Sequence, residues 1–430
     1  MTANAPGPVP TELAVRSFDD PLGRRIVDLH IWAVEEGLRG AAADALFEGY
    51  CARLVAGGAP LWRAHAAMET LHPQWSAYGC TWRRDAGVAL PEQYAHGGSV
   101  TPDWLQSPFF ELIRRAQAGE VHPTLRRRLE VDAAQRDFPI LEDLFAEGAT
   151  DYCAFLFGFG DSIDRSQGSG IVYSFAADRT GGFTEDDATL LQTTLPALSL
   201  AMKAHAGHVI ASGLLETYLG ADAGRRVHAG AVERGSVTRL RAVLWYADIR
   251  GFTPTTDRAP AEVVIGLLND VFETMTAALR SRGGQVLKFL GDGMLATFSF
   301  DGPERAETCR RALDAAIESS GAIDALNAAR AAAGLPVAAV DLALHVGEVL
   351  YGNVGASDRL DFTVIGAAVN EVARMEALCE PLGRAVLVSA EFAAALAADD
   401  DRLRSLGRHA LRGVREPKEL FAFAATLASG

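Results

Sequence analysis

Ala242-Val-Leu-Trp-Tyr-Ala-Asp-Ile-Arg-Gly-Phe-Thr253 is the stretch whose reading decides the fold. Apolar and aromatic residues run unbroken from Ala242 to Ala247 and stop at Asp248. A continuous apolar run of this length is the pattern of a strand buried on both faces. Asp248 then ends such a strand, with its carboxylate placed to face a cleft. Arg250 to Thr253 reads as a turn, and a helical pattern starts at Pro260. The free N–H groups of a turn and a helix start favour an anion. A carboxylate beside an anion-binding turn can hold a metal-bound polyphosphate.

From Arg241 onward the order reads strand, helix, strand, strand, helix, strand. Pro260 to Arg282 is amphipathic, with Val264, Leu268, Val271, Met275 and Leu279 on one stripe. Gln285 to Leu290 and Met294 to Phe300 are strands joined through Gly291-Asp-Gly293, and an Ala-rich helix runs from Ala306 to Ala333. Val337 to Gly347 and Val349 to Val354 read as two further strands. This order predicts a split βαβ, ferredoxin-like βαββαβ domain over residues 241–430, in a chain that mixes α+β and α/β patterns.

Upstream, Leu214 to Gly220 and the polar, glycine-punctuated run from Ala221 to Arg239 read as a connector over residues 211–240. A second domain is expected over residues 21–210, after a flexible leader over residues 1–20. Pro21 to Gly57 is helical in pattern, with Ile26, Leu29, Val34, Leu38, Leu46, Tyr50 and Leu54 at helical steps. Residues 61–80 carry Trp62, Met68, Leu71, Trp75 and Tyr78, which read as ordinary core, or as the wall of a ligand pocket. His65 and His72 lie seven apart, but Pro73 breaks any helix they could share, and no Cys or carboxylate completes a metal or haem set. Leu125-Arg-Arg-Arg-Leu129 reads as a solvated helix face. Next come a helix ending at Gly148, strands from Asp151 to Phe159 and Ser169 to Phe175, and a long helix after Gly181-Gly-Phe-Thr-Glu-Asp-Asp187. Thr184 is its expected N-cap, and Pro196 is expected to kink it or mark an irregular start.

The 430 residues suffice for two or three domains, and 49% hydrophobic with 22% charged residues marks a globular chain. The net charge of −15 argues against nucleic acid or an anionic membrane as the main partner. A nucleotide stays open, because its site needs only a few local cations and a metal. The five cysteines are scattered and form no Cys-x-x-Cys, which reads as reduced thiols. No apolar run approaches the roughly 18 residues of a membrane span. The N-terminus lacks a basic region before an apolar one. A soluble, cytoplasmic protein is expected.

Asp292 lies in Gly291-Asp-Gly293, which on its own is usually just a hairpin turn. In a βαββ unit, however, the first strand lies beside the later hairpin, so Asp248 and Asp292 can converge. Two carboxylates on adjacent strand ends suit two Mg²⁺ or Mn²⁺ ions on a triphosphate. Lys288 alone reads as an outward-facing lysine. Asn370 and Arg374 are four apart and share a helix face. Alone they are a helix surface, but a guanidinium aimed at a phosphate is a usual transition-state stabiliser.

Ala247-Asp-Ile-Arg-Gly-Phe-Thr253, Lys288-Phe-Leu-Gly-Asp-Gly293 and Asp361-Phe-Thr-Val-Ile-Gly-Ala-Ala-Val-Asn-Glu-Val-Ala-Arg-Met375 resemble the three signature blocks of class III nucleotidyl cyclases. Order and spacing match over about 180 residues, Ala242 to Phe423. Over about 70 residues, Phe138 to His208, the strand, strand, Gly-Gly-Phe-Thr, long-helix order resembles the C-terminal half of a GAF-type sensory domain, which implies a GAF-like α/β sensor.

The cyclase resemblance implies that Asp248 and Asp292 bind two Mg²⁺ or Mn²⁺ ions, assisted by the carbonyl of Ile249. It implies Phe252 and Thr253 in a phosphate-cradling turn, Lys288 and Thr363 reading the purine, and Arg359 on the pyrophosphate. Asn370 would orient the ribose, and Arg374 would stabilise the pentavalent α-phosphate. Many adenylate-forming members carry Asp where this chain has Thr363. Thr there resembles a bicarbonate-responsive subclass, so bicarbonate is an expected activator. A late Lys-rich phosphate clamp is not evident, and Lys418 or Arg415 is the candidate substitute. Guanylate-forming members carry Glu and a small Cys-like residue where Lys288 and Thr363 stand, whereas a Lys donor suits adenine N1. ATP is therefore the expected substrate. In the family each site lies between two catalytic domains, the metal aspartates from one and Lys288, Thr363, Asn370 and Arg374 from the other. One chain with both sets implies a homodimer with two equivalent sites, under a sensor whose ligand the sequence does not name. A cyclase forming cGMP or a cyclic pyrimidine, and a non-catalytic signalling relay, are the alternatives. Gly291-Asp-Gly293 does not match the hairpin of a diguanylate cyclase.

Overall fold

Helix α1 (Pro21–Leu38) begins where the Asp20 carboxylate accepts a hydrogen bond from the Gly23 N–H, and helix α2 (Ala43–Ala56) follows. These open a computed structural model that describes residues 20–73, 75–88, 92–95, 101–159, 170–300, 302–396 and 401–424. The expected leader lies outside the described residues, apart from Asp20. The chain divides into two units, Met1–Leu214 and Leu215–Gly430. Among the described residues no helix is long and apolar enough to cross a membrane.

The first unit is built on a seven-stranded antiparallel sheet. Its strands are β1 (Leu61–Glu69), β2 (Trp75–Arg83), β3 (Gly87–Val88), β4 (Glu92–Ala95), β5 (Thr124–Arg127), β6 (Asp151–Gly158) and β7 (Gly170–Ala177). They lie in the order β3-β2-β1-β7-β6-β5, with β4 also on β2. β6 and β7 are apolar along their length because both faces are covered. One face holds Phe47, Tyr50, Tyr173, Phe175, Leu195 and Leu198. The other packs helices α3 (Pro108–Gln117) and α4 (Pro139–Ala146) through Leu112, Leu141 and Leu144.

Helix α5 (Glu185–Leu219) starts as expected. Thr184 Oγ1 accepts from the Asp187 N–H at 3.0 Å, and Asp187 Oδ2 accepts from the Thr184 N–H at 3.0 Å, a reciprocal box. The helix then continues through Pro196 to Leu219 as one element. Pro196 and Gln192, the residue whose carbonyl loses its partner, both face solvent, where water replaces the missing N–H.

Two sequence features take their places here, and one reading is corrected. His65 lies on strand β1 and His72 beyond its end, so no helix face joins them; His65 Nδ1 instead meets Thr81 Oγ1 at 2.9 Å. Leu125 to Leu129 is not a solvated helix face. Arg126 sits on edge strand β5 and turns inward, donating to Asp151 Oδ2 at 2.8 Å. Three successive arginines carry no period, so only strand alternation decides which one points in. Asp151 is fully buried and also accepts from the Phe183 N–H at 3.1 Å. Arg126→Met would leave that carboxylate buried without its cation, and is expected to cost the unit about 3 kcal/mol, read from the denaturant midpoint. An unchanged midpoint would mean that backbone donors alone sustain Asp151.

The second unit opens with a turn at Gly220 (φ 86°) into helix α6 (Ala221–His228). The segment after α6 is tied down by Asn353 Nδ2, which donates to the Ala231 carbonyl at 2.6 Å. Then come β8 (Val237–Arg250), α7 (Phe252–Arg258), α8 (Ala261–Ser281), β9 (Gln285–Leu290), β10 (Gly293–Phe300) and α9 (Arg305–Ala332). They are followed by β11 (Ala339–Gly355), β12 (Leu360–Ile365), α10 (Ala367–Glu376), β13 (Val386–Ser389), α11 (Ala390–Ala393), β14 (Leu403–His409) and β15 (Lys418–Phe423).

The sheet order is β14-β15-β13-β11-β8-β10-β9, with β12 on β11, so the predicted apolar strand β8 is central. Val243, Trp245 and Ala247 face α8 and α9, while Leu244 faces the layer containing α10. Alternate faces of one strand therefore fill two cores, which is why its run is unbroken. Two details differ from the expectation. The turn after Arg250 passes straight into α7 at Gly251, which takes the left-handed conformation. The two strands expected around Gly347 are one. Gly347 marks no break; a Cβ there would stand 2.3 Å from Ala368 Cβ, so glycine is what lets α10 press on the strand.

Candidate active site

Asp248 ends the apolar run of β8, in register with Gly293 on β10 and Asp341 on β11. A Cβ on Gly293 would lie 2.9 Å from Asp248 Oδ1, so the bare backbone lets the β9–β10 turn sit against that carboxylate. The turn's own acid, Asp292, thereby comes close to Asp248. Burial pushes the Asp248 carboxyl up to about 6, and the charges of Asp292 and Asp341 add to the rise against the opposing Ile249 N–H.

Two further acids belong to this cluster. Asp341 is buried and taken by Arg250, whose Nε donates to Oδ2 at 3.0 Å. Glu376, the last residue of α10, is pushed up to about 7 by burial and then by Asp248, Asp341 and Asp292. Neither was anticipated. Asp341 could have been found as the lone charge in an apolar strand, and Glu376 as the acid two residues beyond Arg374.

The purine and ribose candidates lie on β9, β12 and α10. Lys288 on β9 is ion-paired with Asp361 on β12, not with Thr363. Thr363 lies two residues beyond Asp361 on the same strand, hence on the same face. Asn370 and Arg374 sit one turn apart on α10, as expected, Asn370 exposed and Arg374 half-buried. The Arg374 guanidinium lies alongside the loop at Gly413, where a Cβ would be 3.7 Å from it. Arg359 is exposed in the β11–β12 turn, and its carbonyl accepts from the Ala356 N–H at 2.9 Å. Phe252 packs on the core at the start of α7, next to exposed Thr253. Lys418 is committed to Glu371 and Glu391, which leaves exposed Arg415 as the more accessible cation of that loop. Among the described residues no hydrogen bond or ion pair joins Lys288, Thr363, Asn370 or Arg374 to Asp248 or Asp292.

Residues 239–425 match the family model described as the adenylate and guanylate cyclase catalytic domain. An adenylate cyclase of Anabaena cylindrica is 34% identical over 162 residues, 37% of this chain and 31% of that protein. Adenylate cyclase 1 of Rhizobium meliloti is 29% identical over 178 residues, 41% of this chain and 26% of that protein. The solved structure of the guanylyl cyclase Cya2 is 27% identical, covering 44% of this chain and 93% of that one, with a TM-score of 0.38. The chain thus spans less than a third of the length of these two curated relatives.

The acids of the matched region suit a divalent cation that a nucleotide helps to hold. Among the described residues no three or more His, Cys, Asp or Glu side chains are grouped to enclose a metal by themselves. Asp248, Asp292 and the Ile249 carbonyl could supply part of a shell, with phosphate oxygens filling the rest, the usual arrangement for Mg²⁺. Burial first, and then the charges of Asp292 and Asp341, raise the Asp248 carboxyl, and a cation there would relieve both.

This has a pH consequence. Because Asp248 and Glu376 titrate higher folded than unfolded, their contribution to stability is fullest below about pH 4 and is lost as pH rises through about 6 to 7. A cation offsets that loss only after the protons have left. Mn²⁺ is therefore expected to raise the melting temperature more at about pH 8 than at about pH 5. Equal shifts in a thermal scan at both pH values would remove these carboxyls from metal binding.

Proposed function

We propose that the chain is an adenylate cyclase that converts ATP to 3′,5′-cyclic AMP and pyrophosphate. The observation that carries this reading is the pairing of Asp248 with Asp292 at the end of β8, short of any matching cation. In the reaction the ribose O3′ bonds to the α-phosphorus, the bond to the pyrophosphate oxygen breaks, and the 3′-hydroxyl proton is released. Two divalent cations at Asp248, Asp292 and the Ile249 carbonyl would acidify that hydroxyl and neutralise the leaving pyrophosphate.

The chain's own groups do the rest. Lys288 donates to adenine N1 while Asp361 orients it, and Thr363 offers its hydroxyl to the exocyclic amine. Asn370 holds the ribose, and Arg374 meets the charge that builds on the α-phosphate. Phe252 and Thr253 bring backbone N–H groups to the triphosphate, and Arg359 faces the pyrophosphate.

The protein works as a homodimer with shared sites. Among the described residues no hydrogen bond or ion pair joins the two residue sets within one chain, which is compatible with this. Exposed apolar surface near the purine residues supports the homodimer: Phe289 and Leu290 are 48% and 40% exposed, and Leu350 and Ile365 are exposed likewise. The N-terminal unit acts as a GAF-like sensor, and rotation of the helix and connector after it realigns the catalytic pair.

Purified protein incubated with each of the four nucleoside triphosphates and Mn²⁺ is expected to form cyclic AMP from ATP alone, and more of it with bicarbonate. Another cyclic nucleotide would keep the metal chemistry and overturn the base assignment. No product from any triphosphate, with or without bicarbonate, would favour a relay module. A flat bicarbonate titration of active protein would remove bicarbonate as activator.

A further inference from the structure

His345 lies on β11, only 4% exposed, away from the carboxylates described above. Its ring nitrogens look toward acids from two different helices. Nε2 is 3.7 Å from Glu371 Oε2 on α10, and Nδ1 is 3.8 Å from Glu391 Oε2 on α11. Neither distance is a hydrogen bond, and Nδ1 is buried without a partner. Lys418, on β15, bridges the same two acids, with Nζ 3.3 Å from Glu371 Oε2 and 3.1 Å from Glu391 Oε1. Arg305 from α9 contributes only a hydrogen bond to the Glu391 backbone carbonyl, at 2.7 Å. One ammonium therefore serves two carboxylates. Burial keeps the imidazole neutral against the pull of Glu391 and Glu371, and the charge of Lys418 works in the same direction as burial.

Glu371 follows Asn370 on α10 and stands three residues before Arg374. A constraint on Glu371 is a constraint on the helix that presents both. We propose that Lys418 is a positioning residue for this helix, tying Glu371 to Glu391, and that His345 is the reserve cation that replaces it when it is lost. This rests on the roles of Asn370 and Arg374 given above.

The charge count explains the exchange. Without Lys418, two neighbouring carboxylates repel each other and α10 loses its tie at Glu371. The nearest group that can gain a proton near neutrality is His345, flanked by both acids and no longer opposed by the ammonium. An imidazolium there restores one cation between two anions.

Full-length Lys418→Met is therefore expected to lose about tenfold in kcat at about pH 8, relative to wild type at that pH, with KM little changed. At about pH 6, where more of the imidazole is protonated than at about pH 8, activity is expected to recover toward wild type. Lys418→Arg should behave like wild type at both. Adding His345→Asn to Lys418→Met should abolish the recovery. In NMR of histidine-labelled protein, His345 should titrate at higher pH in Lys418→Met than in wild type. With active wild-type protein, an unchanged kcat, or the same loss at both pH values, overturns the proposal. An inactive wild type overturns the proposed function instead, and the NMR titration still decides here: an unshifted His345 sinks the exchange.

Discussion

Asp292→Asn and Arg374→Ala proteins, each inactive alone, are expected to regain cyclase activity when mixed. In the proposed roles, each substitution removes a group that acts on the charged triphosphate, at an expected loss of about 10²- to 10³-fold. In a two-fold homodimer both sites of each variant carry the defect. A mixed dimer gathers both defects in one site and leaves the other whole. Equal mixing yields about half mixed dimers with one working site of two, so about a quarter of the wild-type rate should return.

The reasoning rests on what one chain does and does not bring together. Asp248 and Asp292 meet at the end of β8, whereas Lys288 pairs with Asp361, and neither it nor Arg374 bonds the metal acids within the chain. The exposed apolar residues beside Lys288 offer a surface for the second copy. Activity of the mixture would be followed against time, since recovery must track subunit exchange. No recovery after complete exchange would put the whole site within one chain.

The central strand was legible because it is buried on both sides, which leaves an apolar run with an abrupt charged end at Asp248. The Gly291-Asp-Gly293 turn was legible because glycine at φ 71° and a Cβ-free approach at Gly293 leave few other residue choices. What failed to show was register between distant segments. Asp341 is 93 positions from Asp248 yet directly opposite it, and nothing in either stretch announces the pairing. The same holds for Arg126 and Asp151, where a run of three arginines read as solvated surface hides one inward-facing member. Asp361 was passed over for a simpler reason. Thr363, two residues on, carries the base-reading pattern, and strand alternation puts both on the face that Lys288 reaches. Lys418 looked like a phosphate ligand because its two acids come from helices elsewhere in the chain.

Lys288→Glu with Thr363→Cys is expected to lower kcat/KM for ATP by about two to three orders of magnitude, because the adenine N1 would face an acceptor where it needs a donor. Guanine presents N1–H and N2 donors, so the same change is expected to admit GTP. Asp361 complicates the outcome. Once its cation is gone, Asp361 and the new glutamate are two like charges close together on β9 and β12, and the repulsion favours protonating the glutamate or turning it away. A protonated glutamate donates where guanine needs an acceptor. The double variant should therefore lose most of its ATP turnover but gain GTP turnover poorly, the gain being poorest at acidic pH. Adding Asp361→Asn removes the competing charge and should raise kcat/KM for GTP about tenfold over the double variant, with little further change for ATP. Steady-state kinetics on both nucleotides, with cyclic products resolved by chromatography, separate the cases. Unchanged ATP kinetics in the double variant would remove Lys288 and Thr363 from base recognition. An Asp361→Asn change without effect on GTP would make the ion pair a surface contact only.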